Sequence, residues 1–298
     1  MWHVRLYTRR MWHSTSRLLN GVANRALPAA LIAWFHRYAA GRPWSWSYGA
    51  FRSQAIAKLL NRSPVTVPEV PFGAWVDERI VEYPWMLQRL GSPKAGCRLL
   101  DAGAGLNVAI PLAILKQRGW QVSSITLERE RFALEGVQYF EGDLRHLPFP
   151  DKCFEAVCCL STLEHVGMNN DRYARGELSQ RGDAADWQRA VREMWRVTAP
   201  GGVLRITMPC GRAADHGWFQ VFPPTVESLI ANCVGDATVH CQFFIHTESG
   251  WERSTSEAMS NCECWDPGSS TASSIPRAAF SEGIICLELI SPRVESTS

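Results

Sequence analysis

The first 68 residues contain no aspartate or glutamate, although they carry ten arginines and lysines, of which only Lys58 is a lysine. The remaining residues hold 21 basic and 29 acidic side chains, so a basic N-terminal segment precedes an acidic body. A basic segment suits an anionic membrane surface, a nucleic acid or exposure to solvent. The acidic body and the scarcity of lysine disfavour nucleic acid, and we expect no nucleic-acid partner.

Long apolar runs are also missing. The run Ala26–Phe35 has ten residues and includes Pro28, whereas a membrane-spanning helix needs about 20. It starts late and lacks a small-residue cleavage site, which disfavours a signal peptide. Arginine and tryptophan intermix in this segment, as in helices that lie on a membrane, but helices that cap the body explain the same pattern. We expect a cytoplasmic protein. Residues 1–62 have two alternative roles, a helical cap on the body or peripheral contact with a membrane.

No pair among the ten cysteines has the C-x-x-C spacing of a structural zinc site. Cys158 and Cys159 are adjacent, and Cys262 and Cys264 have no partner pair nearby. The sequence therefore predicts reduced thiols and no bound metal. Three prolines between positions 64 and 71 indicate a linker. The predicted organisation is a basic helical extension (1–62), a linker (63–72), a main domain (73–292) and a disordered tail (293–298).

A glycine-rich segment follows the first apolar strand of the main domain. The strand ends at Asp101, and Gly103 and Gly105 follow it before a predicted helix. Glycines let a backbone approach a ligand closely, and the start of a helix offers free N–H groups. The third small position of the loop is Asn107 rather than glycine, so the G-x-G-x-x-G fingerprint is not met and the pattern disfavours an NAD-dependent oxidoreductase.

A second motif follows the fourth predicted strand, Cys153–Leu160, whose apolar residues indicate cover on both faces. The segment Ser161-Thr162-Leu163-Glu164-His165-Val166 lies at its carboxyl end, where doubly wound sheets bind ligands. His165 is the candidate general base, because its unperturbed pKa lies near neutrality. A wall of the pocket and a scaffold role are its alternatives. Glu164 is predicted to orient His165 or to hold the substrate.

Four segments together resemble the class I S-adenosylmethionine (SAM) dependent methyltransferases. The similarity is to their small-molecule branch, the methyltransferase type 11-like proteins. They are D-x-G-x-G at 101–105, L-P-F-P-D-x-x-F-x-A-V at 147–157, S-T-L-E-H-V at 161–166 and P-G-G at 200–202. The resemblance, over about 73–290, implies an α/β fold: a Rossmann-like doubly wound seven-stranded sheet, mostly parallel, with an antiparallel edge strand. It implies methyl transfer from SAM to a small-molecule or saccharide acceptor. No Asn-Pro-Pro-Tyr segment follows the fourth strand, so we expect an oxygen acceptor.

The resemblance also implies cofactor contacts. An acid at the end of the second strand is expected to bind the ribose, but Thr126 stands there. Glu128 is predicted instead, two residues along the extended chain, with Glu130 as the fallback and a surface role as the alternative. Asp143 and the next N–H are expected to read the adenine, with a turn or cap role for Asp143 as the alternative. The predicted cofactor residues are Asp101, Ala102, Gly103, Ala104, Gly105, Asn107, Glu128, Asp143, Leu144 and Ser161.

Three further segments are predicted around the acceptor. The polar stretch Gly167–Asp183 is predicted to form a mobile lid over the substrate. Pro209–Pro224 is predicted to form a wall of the acceptor pocket. A helix over Ala74–Leu90, with Pro84 splitting or kinking it, is expected either to border the cofactor or to pack in the core. The residues singled out there are Asn170, Asp171, Arg172, Tyr173, Arg212, His216, Trp218, Glu82, Tyr83 and Trp85. The departures at Asn107 and Thr126 keep a second function open, a catalytically inactive methyltransferase-like interaction module.

Overall fold

The computed structural model describes residues 31, 34, 48–130, 132–176, 180–264 and 281–293. Most of the predicted basic extension and most of the predicted tail lie outside these residues, and so does the hypothesis of membrane contact. Within the described part, no helix has the length and apolarity needed to cross a membrane. None of the ten cysteines forms a disulfide.

One large mixed sheet organises the molecule, in the order β3-β2-β1-β4-β5-β10-β8-β9. Strands β1 to β5 pair in parallel, and β10, β8 and β9 add antiparallel pairs. The strands are β1 (Arg98–Ala102), β2 (Gln121–Thr126), β3 (Val137–Glu141), β4 (Phe154–Leu160), β5 (Thr198–Pro209), β6 (Ala214–Asp215), β7 (Gln220–Val221), β8 (Thr238–Thr247), β9 (Gly250–Ser254) and β10 (Gly283–Ile290). Strands β6 and β7 form a separate small ribbon.

The predicted doubly wound, mostly parallel sheet is confirmed, with eight strands in place of the expected seven. The additional strand is β9, which folds back on β8 so that Thr247 pairs with Gly250. Gly250 has a φ of +113°, a conformation that side chains other than glycine rarely adopt. As a result β10, the antiparallel neighbour of β5, lies inside the sheet, and β9 forms the edge.

Helices cover both faces of this sheet. They are α1 (Tyr48–Leu60), α2 (Arg79–Gln88), α3 (Ala109–Gln117), α4 (Trp187–Val197), α5 (Val226–Val234) and α6 (Ser256–Met259), with a 3-10 turn at Leu163–His165. Pro84 lies inside α2 without splitting it. Successive strand residues alternate between two cores: in β4, Val157 and Cys159 face the core of α4 and α5, whereas Cys158 and Leu160 face that of α1 to α3.

The predicted linker packs on the sheet domain. Val65 and Val67 are buried in the same core as α2. Phe72 exchanges two backbone hydrogen bonds with Trp251 of β9, at 3.1 and 2.7 Å. The chain from α1 onward is therefore joined to the sheet by side-chain burial and by backbone pairing.

Candidate functional site

A cavity of about 1000 Å³ opens at the carboxyl ends of the parallel strands. Parallel sheets of this type bind ligands at that edge, because the loops after neighbouring strands meet there. Nine of the predicted site residues line the cavity: Gly103, Ala104, Gly105, Glu128, Asp143, Leu144, Ser161, Glu164 and His165. Asp101, Ala102 and Asn107 do not line it.

Asp101 braces the glycine turn from below. Its side chain is buried, and both carboxylate oxygens accept a hydrogen bond from the Leu106 N–H, each at 3.1 Å. Burial raises the pKa of Asp101 to about 7, although these hydrogen bonds oppose the shift. Gly103 has a φ of +98°, and a Cβ there would lie 2.3 Å from the Thr162 side chain. The turn therefore requires glycine at this position, both for its backbone conformation and for its space.

Asn107 anchors the loop after β2. Its side-chain amide donates to the Phe132 carbonyl at 3.3 Å, and its oxygen accepts from the Tyr139 hydroxyl at 2.7 Å. The same hydroxyl accepts from the Leu134 N–H. Asn107 thus ties the loop after β1 to the loop after β2 and to β3.

The chain turns directly after β2. The strand ends at Thr126, whose hydroxyl donates to the Glu128 carbonyl at 2.5 Å. The prediction that Glu128 continues an extended chain is therefore wrong, because the threonine hydroxyl closes a turn at this point. Both Glu128 and Glu130 nevertheless line the cavity.

Asp143 is held by an arginine two residues along the chain. Its carboxylate accepts from the Arg145 backbone N–H at 2.8 Å, from Nε and from Nη2 at 2.7 Å. Burial opposes ionisation of this carboxyl, but the hydrogen bonds from Arg145 outweigh burial and hold the pKa of Asp143 below its usual value. Arg145 also donates to Asp186 at 2.5 Å, so the carboxylate is fixed in place beside the cavity.

His165 is oriented by a backbone carbonyl. Its Nδ1 lies 2.8 Å from the Trp218 carbonyl oxygen, which only accepts, so Nδ1 carries the proton. The imidazole stacks on the Trp218 indole at 5.2 Å and contacts the Tyr173 ring at 5.0 Å. Burial lowers the pKa of His165 to about 4, although the Trp218 carbonyl opposes the shift. The ring is therefore neutral near pH 7, with a lone pair on Nε2.

Glu164 and Glu78 line the same cavity. Glu164 is 4% exposed, and its Oε1 lies 4.0 Å from His165 Nε2, beyond hydrogen-bond distance. In each glutamate, Oε2 is buried and has no hydrogen-bond partner among the described residues. Burial raises the pKa of both carboxyls to about 8. Sequence reasoning missed Glu78 and its neighbour Arg79, although both lie in the helix predicted to border the site.

Glu82 connects three elements beneath the cavity. Its buried carboxylate accepts from the Ser161 hydroxyl at 2.6 Å, from the Thr207 hydroxyl at 2.7 Å and from Arg79 at 2.5 Å. Glu82 and Trp85 lie outside the cavity lining, whereas Tyr83 belongs to it. The helix predicted to border the cofactor thus contributes one lining face and one buried supporting face.

The predicted lid and wall meet around His165. Arg172 lies over the Trp218 ring at 3.9 Å, and Trp218 and Phe219 line the cavity, whereas Arg212 and His216 do not. The Asn170 amide donates to the His165 carbonyl at 3.2 Å and so supports the backbone. The described members of the predicted lid that line the cavity are Gly167, Asn170, Asp171, Arg172, Tyr173, Ala174 and Arg175. Residues 177–179 lie outside the described part.

A narrow neck closes the base of this segment. The Gly182 N–H donates to the Gly167 carbonyl at 3.1 Å. Gly167 has a φ of +80°, and a Cβ there would lie 2.0 Å from the Asp183 carbonyl oxygen. The two ends of the segment are therefore in direct backbone contact.

Comparison with known proteins adds a family match over the strands that build the cavity. Residues 100–206 match the family model described as "Methyltransferase domain". The demethylmenaquinone methyltransferase of Deinococcus radiodurans is 28% identical over 159 residues, which cover 47% of this chain and 57% of that protein. The chain thus matches little more than half the length of this curated relative.

Several solved structures align with this chain at low identity and with TM-scores below 0.5. The [4+2]-cyclase SpnF is 16% identical, with 81% of this chain and 94% of that chain covered and a TM-score of 0.48. YcgJ of Bacillus subtilis is 14% identical, with coverages of 72% and 99% and a TM-score of 0.48. NodS of Bradyrhizobium japonicum, an N-methyltransferase bound to S-adenosylhomocysteine (SAH), is 12% identical, with coverages of 80% and 98% and a TM-score of 0.40.

The glycine turn after β1, the cavity at the carboxyl ends of the strands and the match over residues 100–206 point the same way. Residues 100–206 therefore form a methyltransferase domain, similar to those of the class I family whose cofactor is S-adenosylmethionine.

Proposed function

We propose that this chain transfers the methyl group of SAM to a hydroxyl oxygen of a small-molecule or saccharide acceptor. One observation supports the oxygen acceptor best. The hydrogen bond from His165 Nδ1 to the Trp218 carbonyl leaves Nε2 unprotonated in the neutral ring. A neutral hydroxyl must lose a proton as its oxygen becomes an ether, and this nitrogen supplies the acceptor.

The residues around the cavity fit the cofactor. Gly103 and Gly105 bring the backbone to the cavity without side chains. Two carboxylates, Glu128 and Glu130, follow β2, where a ribose diol needs an acceptor of two hydrogen bonds. Asp143 offers carboxylate oxygens for an exocyclic amine, and the Leu144 N–H makes no hydrogen bond to another described residue. We assign ribose recognition to Glu128, with Glu130 as the fallback, and adenine recognition to Asp143 and Leu144.

When bound, the cofactor supplies a methyl group already activated by a sulfonium, so the chain's own task is orientation. His165 Nε2 takes the hydroxyl proton while the new oxygen–carbon bond forms and the carbon–sulfur bond breaks. Ser161 holds the floor of the cavity through Glu82. Glu164 Oε1 lies 4.0 Å from the imidazole Nε2, too far for a hydrogen bond. We therefore assign Glu164 to holding a ligand group rather than to orienting His165.

The test is calorimetric titration of the full chain with SAM and with NAD, followed by transfer of labelled methyl to a panel of acceptors. We expect SAM to bind and NAD not to bind. The panel contains saccharides, other alcohols and matched amines, together with demethylmenaquinone, for which the Deinococcus relative is named. Label on hydroxyl acceptors, lost in His165→Gln with SAM binding retained, supports the proposal. Label on amines alone contradicts it.

The alternative function, an inactive methyltransferase-like interaction module, differs in one outcome. It predicts no methyl transfer to any acceptor, whether or not SAM binds.

We propose residues 73–292 as the catalytic domain, with 48–72 packed on it. Flotation of the full chain with anionic and with neutral vesicles separates the two hypotheses for the basic extension, since only membrane contact predicts binding to anionic vesicles.

A further inference from the structure

Two of the carboxyls that line the cavity form no direct ion pair with an arginine or a lysine among the described residues, although Arg79 acts on both electrostatically. Asp77 pairs with Arg52 at 2.5 Å, and Glu82 pairs with Arg79 at 2.5 Å. Glu78 and Glu164 form no ion pair with an arginine or a lysine among the described residues. A buried carboxylate without a partner is costly, so each of these groups favours a ligand that supplies positive charge or hydrogen-bond donors.

Several acidic groups and one arginine, Arg79, act on the pair. Burial is the largest cause of the raised pKa of both carboxyls, and Glu82 raises each of them further, whereas Arg79 opposes the shift. Glu78 also raises the pKa of Glu164, so the two groups share one electrostatic environment. The other titratable groups that interact with the pair are Tyr48, Asp77, Cys159, His165, Tyr173 and Cys264.

We propose that Glu78 and Glu164 form a cation-binding subsite whose ligand is the sulfonium form of the cofactor. The inference rests on the proposed function, because it places SAM in this cavity. SAM carries a net positive charge, and its product SAH, a thioether, carries none. A site with two carboxyls that form no direct ion pair therefore holds the cofactor more tightly than the product and favours release of the product after transfer.

The charge state of the pair makes this selectivity depend on pH. When a cation binds, it favours the ionised carboxyls, so binding releases protons as long as the free site is protonated. For one carboxyl the affinity for the cation rises by up to about tenfold per pH unit below the pKa of the free site. A neutral ligand in the same place gives no such rise.

The experiment is calorimetric titration of the full chain with SAM and with SAH at pH 6.5, 7.5 and 8.5, in two buffers of different ionisation enthalpy. The variants are Glu164→Gln and Glu78→Gln, with Glu248→Gln as the matched control in an exposed turn. The ionisation of each free ligand is the same in every experiment. A difference in affinity or proton release between wild type and a variant is therefore due to the substituted carboxyl.

We expect the ratio of SAM to SAH affinity to rise about tenfold or more between pH 6.5 and 8.5, with proton release on SAM binding. Both effects should shrink in Glu164→Gln and Glu78→Gln and persist in Glu248→Gln. A ratio that stays constant with pH, or one that both glutamine variants preserve, overturns the subsite but leaves the proposed function standing. Absence of SAM binding at every pH overturns the proposed function itself. The proton release of the wild type needs no variant, so a misfolded variant leaves the test intact.

Discussion

The His165 imidazole donates from Nδ1 to the Trp218 carbonyl at 2.8 Å, and the two rings stack at a centroid distance of 5.2 Å. One residue thus fixes both the tautomer and the plane of the imidazole. In many enzymes a carboxylate performs this task and stabilises the protonated ring as well. A carbonyl and an indole provide orientation with much less stabilisation of positive charge, which agrees with the lowered pKa of His165.

The tautomer leads to the first prediction. Because burial lowers the pKa of His165 to about 4, the ring should remain neutral, with its proton on Nδ1, from pH 5.5 to 8. Nitrogen-15 spectra of histidine-labelled protein report both the charge and the tautomer, and the His165→Gln spectrum identifies the signal. A protonated ring at pH 6, or a proton on Nε2, would contradict the proposed role of Nε2 as proton acceptor.

The glycine turn gives a prediction with an internal control. Gly103→Ala adds a Cβ 2.3 Å from Thr162 at a φ of +98°, whereas Gly119→Ala adds one at +94° with nothing within 4 Å. The left-handed conformation alone costs about 1–2 kcal/mol, so both variants should lose that much. Gly103→Ala should lose about 1–3 kcal/mol more through the clash, and its SAM affinity should fall. Urea unfolding and calorimetry measure the two effects, and equal losses in the two variants would rule out the clash.

Glu164 gives a prediction for stability against pH. Its pKa rises from an ordinary 4.5 when unfolded to about 8 when folded, so the folded state binds more protons between these values. Stability should therefore fall as the pH rises from about 5 to 8, by at most about 1.4 kcal/mol per pH unit for this one group. Glu164→Gln should flatten that part of the profile. Urea midpoints at pH 5.5 and 7.5, without ligand, provide the measurement, and identical slopes for wild type and variant would sink the idea.

How much of this site the sequence predicts depends on the range of each interaction. The turn from Asp101 to Gly105 is local, so its pattern alone predicts it. The strands follow from apolar runs, but β9 contains Glu252 and Arg253 and gives no such run. Glu78 enters the cavity only because α2 packs across the strand ends, and the Trp218 carbonyl is a backbone group that any residue type could provide. Contacts set by packing or by the backbone leave no trace in residue types.

Glu82 provides a prediction about the support beneath the cavity. Its carboxylate satisfies Arg79, Ser161 and Thr207 in a buried setting. Glu82→Ala leaves a partly buried cation without its partner, and we expect a loss of about 3–5 kcal/mol of stability.

Two controls separate charge from packing at Glu82. Arg189→Ala removes an exposed partner of Asp186 and should cost less than about 1 kcal/mol. The double variant Arg79→Ala, Glu82→Ala should be more stable than the sum of its single variants predicts. Additive losses in urea unfolding would show that the ion pair contributes little.

The backbone contact between Gly167 and Gly182 bears on how this protein can diversify. Because both ends of the intervening segment meet at one hydrogen bond, insertions and deletions inside it leave the sheet unchanged. The entropic cost of a longer loop grows only with the logarithm of its length, about 0.6 kcal/mol for each doubling. We therefore expect changes of length inside this segment to alter the lining of the cavity and to spare the sheet.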